Sequence, residues 1–346
     1  MAERISGVLR SGEWWDYKLV PILSAFYGSA IVLRHPIGSF WPGALVLLLS
    51  LIPGAAYVSI VNDLTDIDDD AAAGKANRMA SRSTGFRAAA LLATLAAGAA
   101  FFWVWRGQPL LLAFYAAAWI AFTLYSVPPV RLKTRGLAGV AADSAGAHLF
   151  PTLLAAAVPF TVIGVAPEPV WLAAVALWSF AYGFRGNLWH QLLDRDSDRA
   201  AGVGTFGARH SRRTAARLGA WVAFPLELVA LAVLLHRIDN VVPMLFLAAY
   251  ALLVYRRVRL WNMKAVLVAP RPGYLILLHE YYDAFLPLAL LLASALVHPF
   301  DWVLLSVHLC LFHRRPLAAW QDGWRLVLRP LLQRLRILGP PAADSR

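Results

Sequence analysis

The chain has 346 residues, of which 60% are hydrophobic and only 15% charged, with a mean hydropathy of +0.58. Soluble domains are usually about half apolar and about a quarter charged, so an ordinary soluble domain is excluded and a polytopic membrane protein is predicted. The formal net charge is +12, but the basic residues are scattered between apolar runs, which argues against nucleic acid as a partner. Cys310 is the one cysteine, so neither an intrachain disulfide nor a thiolate metal cluster can form.

The N-terminus through Tyr17 is polar and lacks a compact apolar core, so no cleavable signal peptide is expected. About 20 apolar residues are needed to cross a bilayer. Segments of this kind cover residues 17–33, 39–61, 86–105, 109–127, 137–160, 169–187, 214–235, 240–258 and 274–297. The fold class is therefore all-α, a polytopic bundle of nine transmembrane helices. A tenth segment, 300–312, is short enough to be re-entrant or interfacial. Residues 1–297 form the transmembrane domain and 298–346 a short hydrophobic segment with a tail.

The second span runs directly into Asn62-Asp63-Leu64-Thr65-Asp66-Ile67-Asp68-Asp69-Asp70. Carboxylates at a membrane edge are costly and are functional candidates by default. If the helix continues, Asn62, Asp66 and Asp70 share one face. The sixth span likewise runs into Asp194-Arg195-Asp196-Ser197-Asp198, with two carboxylates four residues apart. A spacing of four helices between these stretches hints at two related halves.

Eighteen Lys and Arg residues lie in the loops after spans two, four, six and eight, against three (Arg34, Arg106 and Arg237) in the alternate loops. The positive-inside rule then puts both acidic stretches on the cytoplasmic face, of the inner membrane if the source is a bacterium. Beyond Phe312, Trp320, Trp324, Leu328, Leu331 and Leu335 recur at helical spacing among Arg325, Arg329, Arg334 and Arg336. This basic amphipathic helix either lies on anionic lipid or packs on the bundle with Pro330 bending it. A stub from Gly339-Pro340-Pro341 onward is expected to be disordered.

Asn62-Asp63-x-x-Asp66-x-x-x-Asp70 resembles the N-D-x-x-D-x-x-x-D motif of the UbiA superfamily of intramembrane prenyltransferases. Asp194-x-x-x-Asp198 followed by Ala201-Gly202-Val203-Gly204-Thr205 is similar to that family's second motif. Tyr125-Ser126-Val127-Pro128-Pro129-Val130-Arg131-Leu132-Lys133 resembles its Y-S-x-x-P…L-K stretch, and Lys75-Ala76-Asn77-Arg78 its K-x-N-R. Lys18 and Pro21 match a basic residue shortly before a proline on helix one. The chain departs from the pattern at Arg78-Met79-Ala80, where members often carry Arg-Pro-Leu, and beyond Val297.

The resemblance implies an isoprenyl diphosphate substrate, Mg²⁺ and a lipophilic acceptor, aromatic ones included, with membrane lipid around the bundle. Mg²⁺ prefers oxygen ligands and typically takes one or two carboxylates plus phosphate oxygens, so Asp66, Asp70, Asp194 and Asp198 are the expected metal ligands. Asn62 and Asp63 adjoin them, and Asp63 is the candidate base for an acceptor proton. Lys133, Arg131, Lys75, Arg78 and Lys18 are expected to contact phosphate oxygens. Tyr125 is best placed to favour a developing carbocation, with Trp178, Tyr182 and Phe184 behind it; each such face contributes about 0.5–2 kcal/mol.

Asp68, Asp69 and Asp196 read as solvated acids. Arg185 is either a substrate contact or a snorkelling side chain, and His190 either orients the second motif or meets an acceptor. Asp143, beside Ser144 and His148, reads as helix–helix hydrogen bonding more readily than as acceptor recognition, and His279, Glu280 and Asp283 as an interfacial cluster or pocket lining. Two other functions remain open: a terpene cyclase of the same superfamily with no acceptor, and a cation-coupled transporter.

Overall fold

In the computed structural model, residues 14–72, 74–200 and 202–335 are described. Ala201, Arg336 and the stub from Gly339 lie outside the described residues, as does the N-terminus before Trp14. Helices build almost the whole chain. In order they are α1 (Val20–Val32), α2 (Trp41–Thr65), α3 (Ile67–Ala72), α4 (Thr84–Trp105), α5 (Pro109–Ser126), α6 (Leu137–Ser144), α7 (Phe150–Val162), α8 (Pro169–Leu193) and α9 (Arg195–Ala200). They continue with α10 (Phe206–Arg209), α11 (Arg212–Leu218), α12 (Phe224–Ile238), α13 (Val241–Leu260), α14 (Leu286–Ala295), α15 (Asp301–Leu311), α16 (Arg314–Gly323) and α17 (Arg329–Arg334). Two three-residue strands, Lys264–Val266 and Tyr274–Ile276, pair in parallel between α13 and α14.

Six helical stretches are long and apolar enough to cross a membrane: Ile37–Thr65, Thr84–Trp105, Pro109–Ser126, Leu137–Val162, Arg212–Ile238 and Val241–Leu260. Tyr17–Val32, Tyr281–Ala295 and Asp301–Leu311 are shorter apolar helices. The 25-residue α8 is long enough, but its Trp, Tyr and Gly content and Arg185 lower its hydropathy. The contiguous core joins α1, α7, α8, α12 and α14.

Each of the five π-helical turns among the described residues is followed, two positions on, by a proline. The turns are Trp15–Leu19 before Pro21, Ala145–Leu149 before Pro151, Gly219–Ala223 before Pro225, Tyr281–Phe285 before Pro287 and Trp324–Leu328 before Pro330. Proline has no N–H for the carbonyl four residues back, and its ring crowds that carbonyl. The backbone relieves this by widening one turn. These turns determine which way Lys18, His148 and Asp283 face.

The expectation of a continuous helix through the first acidic stretch is corrected. α2 stops at Thr65, Asp66 turns the chain (φ −110°, ψ 7°), and α3 restarts at Ile67. The second stretch repeats this: α8 stops at Leu193, Asp194 turns, and α9 follows. The correspondence persists at a constant separation of 128 residues through Asp70 and Asp198, Gly74 and Gly202, and the helix-capping Ser83 and Ser211. Gly74 and Gly202 both take positive φ (64° and 70°), a conformation that is cheap for glycine and costly for residues with a Cβ. This repeat is legible in backbone geometry, where the residue types match at only a few positions.

The tenth apolar segment is α15, packed on α14 and α1. Buried Asp301 accepts hydrogen bonds from the main-chain N–H groups of Ile37 (2.9 Å) and Gly38 (2.7 Å), and His308 Nδ1 lies 3.2 Å from the Tyr27 hydroxyl. α16 packs on the bundle as well.

Candidate active site

Asp66, Asp70, Asp194 and Asp198 line one cavity of about 1300 Å³. Each acidic motif closes on itself first. Asp70 N–H donates to the Asp66 carbonyl (2.8 Å) and Asp198 N–H to the Asp194 carbonyl (2.9 Å). The last carboxylate of each motif is then held from the following loop: Asn77 Nδ2 donates to Asp70 (2.8 Å) and Thr205 Oγ1 to Asp198 (3.0 Å). Asn77 Nδ2 also donates to the Asp63 carbonyl (2.8 Å), and its Oδ1 accepts from Met79 N–H (2.9 Å), so this one amide fixes the loop to the helix end.

The segment between α5 and α6 brings a third set of groups. Arg131 donates to Asp66 (2.9 Å), Asp69 (2.7 Å) and the Thr65 carbonyl (2.9 Å). Lys133 is buried and pairs with Asp66. A parallel bridge between Gly136 and Thr205 ties this segment to the second motif. Burial disfavours the charged form of Lys133 and pushes its pKa down to about 8, against the opposing pull of Asp198. Lys75, from the loop after the first motif, reaches Asp198 of the second at 3.3 Å. Basic groups therefore bridge the two motifs.

The expected site residues divide by position. Lys18, Asn62, Asp63, Lys75, Tyr125, Lys133 and His190 line the cavity with the four metal-ligand candidates. Asn62 Oδ1 accepts from Ser126 Oγ (3.0 Å). His190 lies 3.6 Å from Asp194 and holds that carboxyl below its usual range. Arg78 is off the cavity wall and grips Asp63 with two hydrogen bonds of 2.7 Å. That fork occupies both carboxylate oxygens of Asp63, the expected base.

Arg185, expected as a substrate contact or a snorkelling side chain, is not on the cavity wall. It is fully buried in α8 and forks onto Glu227 of α12 (2.7 Å twice), with its other donors on the carbonyls of Leu267 (2.8 Å) and Leu277 (2.9 Å). Its hydrogen-bonding capacity is used in holding helices together. Trp178 and Phe184 are also off the wall, whereas Tyr182 is on it, and Asp69 is ion-paired and cavity-lining instead of merely solvated. Sequence reasoning missed Arg257, Arg315 and Asp322, all lining residues. Arg257 was counted only as a positive-inside charge, and the other two lie in the tail.

Among the described residues, no three acidic, imidazole or thiol side chains converge as a preformed metal cage. The donors are carboxylate oxygens, each matched by a basic, amide or hydroxyl group. This set suits a hard divalent ion that arrives with a diphosphate and adds one or two carboxylates. It does not suit a soft, thiolate-seeking ion.

A model of the UbiA prenyltransferase family matches residues 20–270. The chain belongs to the UbiA prenyltransferase family. As a member it is a prenyl-transferring enzyme, and with its long apolar helices it is a multi-pass membrane protein. Among curated relatives, a lycopene elongase/hydratase of Halobacterium salinarum is 31% identical over 256 residues, covering 72% of this chain and 84% of the relative. Among solved structures, a UbiA homolog from Archaeoglobus fulgidus bound to GPP and Mg²⁺ superposes with a TM-score of 0.54 at 16% identity, covering 87% of this chain and 99% of the other. The same homolog bound to DMAPP and Mg²⁺ gives the same TM-score, identity and coverage. At that identity the likeness is one of fold.

Proposed function

We propose that this enzyme ionises an allylic prenyl diphosphate with Mg²⁺ and transfers the prenyl group to a lipophilic acceptor inside the bundle. The observation that carries this reading is the convergence of both acidic motifs, bridged by Lys75 and Lys133, on one cavity. Asp66, Asp70, Asp194 and Asp198 would hold Mg²⁺ with the diphosphate, and the ion would neutralise charge building on the leaving group. Lys133, Lys75 and Lys18 bind and orient the phosphate oxygens. Arg131 positions Asp66, and Asp63 positions Arg78. The Tyr125 ring lines the cavity and would favour positive charge developing on the allylic carbon.

The resemblance to a lycopene elongase/hydratase supports an acyclic isoprenoid polyene as acceptor ahead of a phenol. A polyene terminus offers a carbon–carbon double bond as nucleophile and needs no deprotonation before attack. This agrees with the engagement of Asp63 by Arg78. Nine crossings, with both acidic motifs on the cytoplasmic face, are the topology that fits; the asymmetry of Lys and Arg between loops supports it.

Purified protein supplied with dimethylallyl or geranyl diphosphate, Mg²⁺ and either lycopene or a panel of phenols tests the reading by mass spectrometry of the products. Prenylated acceptor that disappears on adding EDTA is the expected result. Absence of diphosphate release with every prenyl diphosphate, or release indifferent to EDTA, overturns it.

A further inference from the structure

The family match ends at residue 270, yet the cavity does not end with it. α16 contributes Arg315, Ala318 and Asp322 to the cavity wall. These positions are three and four residues apart, so they form one helix face. Asp322 accepts from Arg257 at the end of α13 (2.7 and 2.9 Å), and the same guanidinium grips Glu280. The Arg315 guanidinium sits 4.4 Å from the centroid of the Tyr17 ring, on the wide turn that carries Lys18. Farther on, Arg256 Nε donates to the Leu326 carbonyl (2.8 Å), the acceptor that Pro330 cannot serve. α16 therefore spans the gap between the start of α1 and the end of α13.

Its outer face is mixed: Leu317 and Trp320 are 50% and 62% exposed, with Arg314 and Gln321 exposed beside them. A surface helix normally buries its apolar stripe and exposes its charges. Here two charged residues, Arg315 and Asp322, instead turn inward onto Tyr17 and Arg257. Beyond Ala319 and Leu326 against Leu253, little apolar burial holds the helix in place, so polar contacts do most of the docking.

We infer that α16 is a wall of the reaction cavity that shields the prenyl cation from water, and that Asp322 and Arg315 are the positioning residues that hold it there. This rests on the prenyl-transfer reading above. Where the wall is displaced, water adds to the allylic carbon: the carbon–diphosphate bond breaks, a carbon–oxygen bond forms, and the water proton leaves to solvent, giving prenyl alcohol and diphosphate. Closed active sites suppress such hydrolysis of reactive intermediates.

The test is the ratio of prenyl alcohol to prenylated acceptor, with total diphosphate release measured separately. In the full chain, Asp322→Arg sets like charges against Arg257 and is expected to raise that ratio about tenfold while diphosphate release stays within about threefold of wild type. Asp322→Glu is expected to restore the wild-type ratio. Should Asp322→Arg not give folded protein, Arg315→Met carries the same expectation at smaller size, since it removes only the contact with Tyr17. An unchanged ratio in folded Asp322→Arg, or in Arg315→Met where it stands in, overturns the inference. A wild-type protein that releases no diphosphate defeats instead the function on which it rests.

Discussion

Lys75, five residues beyond the first acidic motif, lies 3.3 Å from the carboxylate of Asp198, the last residue of the second. The two halves of the site thus meet through a salt bridge between residues 123 apart. Half-exposed ion pairs contribute little to stability, about 0–1 kcal/mol, so this one matters for what it positions. In the proposed reaction a diphosphate with its metal would replace both partners, taking Lys75 on its oxygens and Asp198 through the ion.

Loss of a metal-ligand candidate should therefore be a loss of chemistry. Asp66→Asn and Asp194→Asn are each expected to lower Mg²⁺-dependent diphosphate release by about 10²–10³-fold, as removal of transition-state charge stabilisation does elsewhere. Thermal unfolding in detergent should change little for Asp194→Asn, because Asp194 is half-exposed, whereas Asp66→Asn also removes the carboxylate partner of buried Lys133 and should lower the melting temperature. Release assayed with radiolabelled prenyl diphosphate checks the first point and a melting curve the second.

Lys133 gives the reaction a pH limit. Its charged form, the one that would bind phosphate in the proposed reaction, is present below about pH 8. As pH rises through that value the ammonium is lost, so kcat/KM for the prenyl diphosphate should fall on the alkaline side. In Lys133→Arg the guanidinium stays charged throughout, and the alkaline limb should move to higher pH. A profile of kcat/KM from pH 6 to 10 for both proteins tests this.

The wide turn before Pro21 aims Lys18 into the cavity. Restoring a regular α-turn rotates the preceding residues by about 100° per residue removed from the loop of the helix. Pro21→Ala is expected to raise KM for the prenyl diphosphate about tenfold, equivalent to ~1.4 kcal/mol, with stability unchanged or improved. Saturation kinetics beside a melting curve would separate this from simple unfolding.

Arg185 and Glu227 make the opposite case, a buried charge pair off the cavity wall. Glu227→Gln leaves the guanidinium uncompensated and should cost about 3–5 kcal/mol of stability. It also weakens the hold on Tyr282, whose hydroxyl donates to Glu227 at 2.9 Å. The expected result is a much lower unfolding temperature, with kcat/KM of the surviving folded fraction near wild type. A selective loss of prenyl diphosphate affinity would return Arg185 to the substrate site.

Membrane class, most helix positions and the acidic stretches at two helix ends were legible in the sequence alone, but not the strand Tyr274–Ile276, where a ninth span was expected to begin. Apolar run length and the cost of carboxylates at a membrane edge are local properties that do not depend on what packs where. The wide turns were not legible, since Pro53 and Pro159 sit inside regular helices and a proline by itself does not mark one. Partnership was not. A motif resemblance marks Lys133 and none marks Arg185, but neither reveals that Lys133 meets Asp66 and Arg185 meets Glu227: only helix packing decides which charge each one reaches. The break at Asp66 and Asp194 and the docking of α16 were likewise decided in three dimensions. The break depends on side chains from the following loop capturing each motif, and the docking depends on an aspartate at 322 finding an arginine at 257.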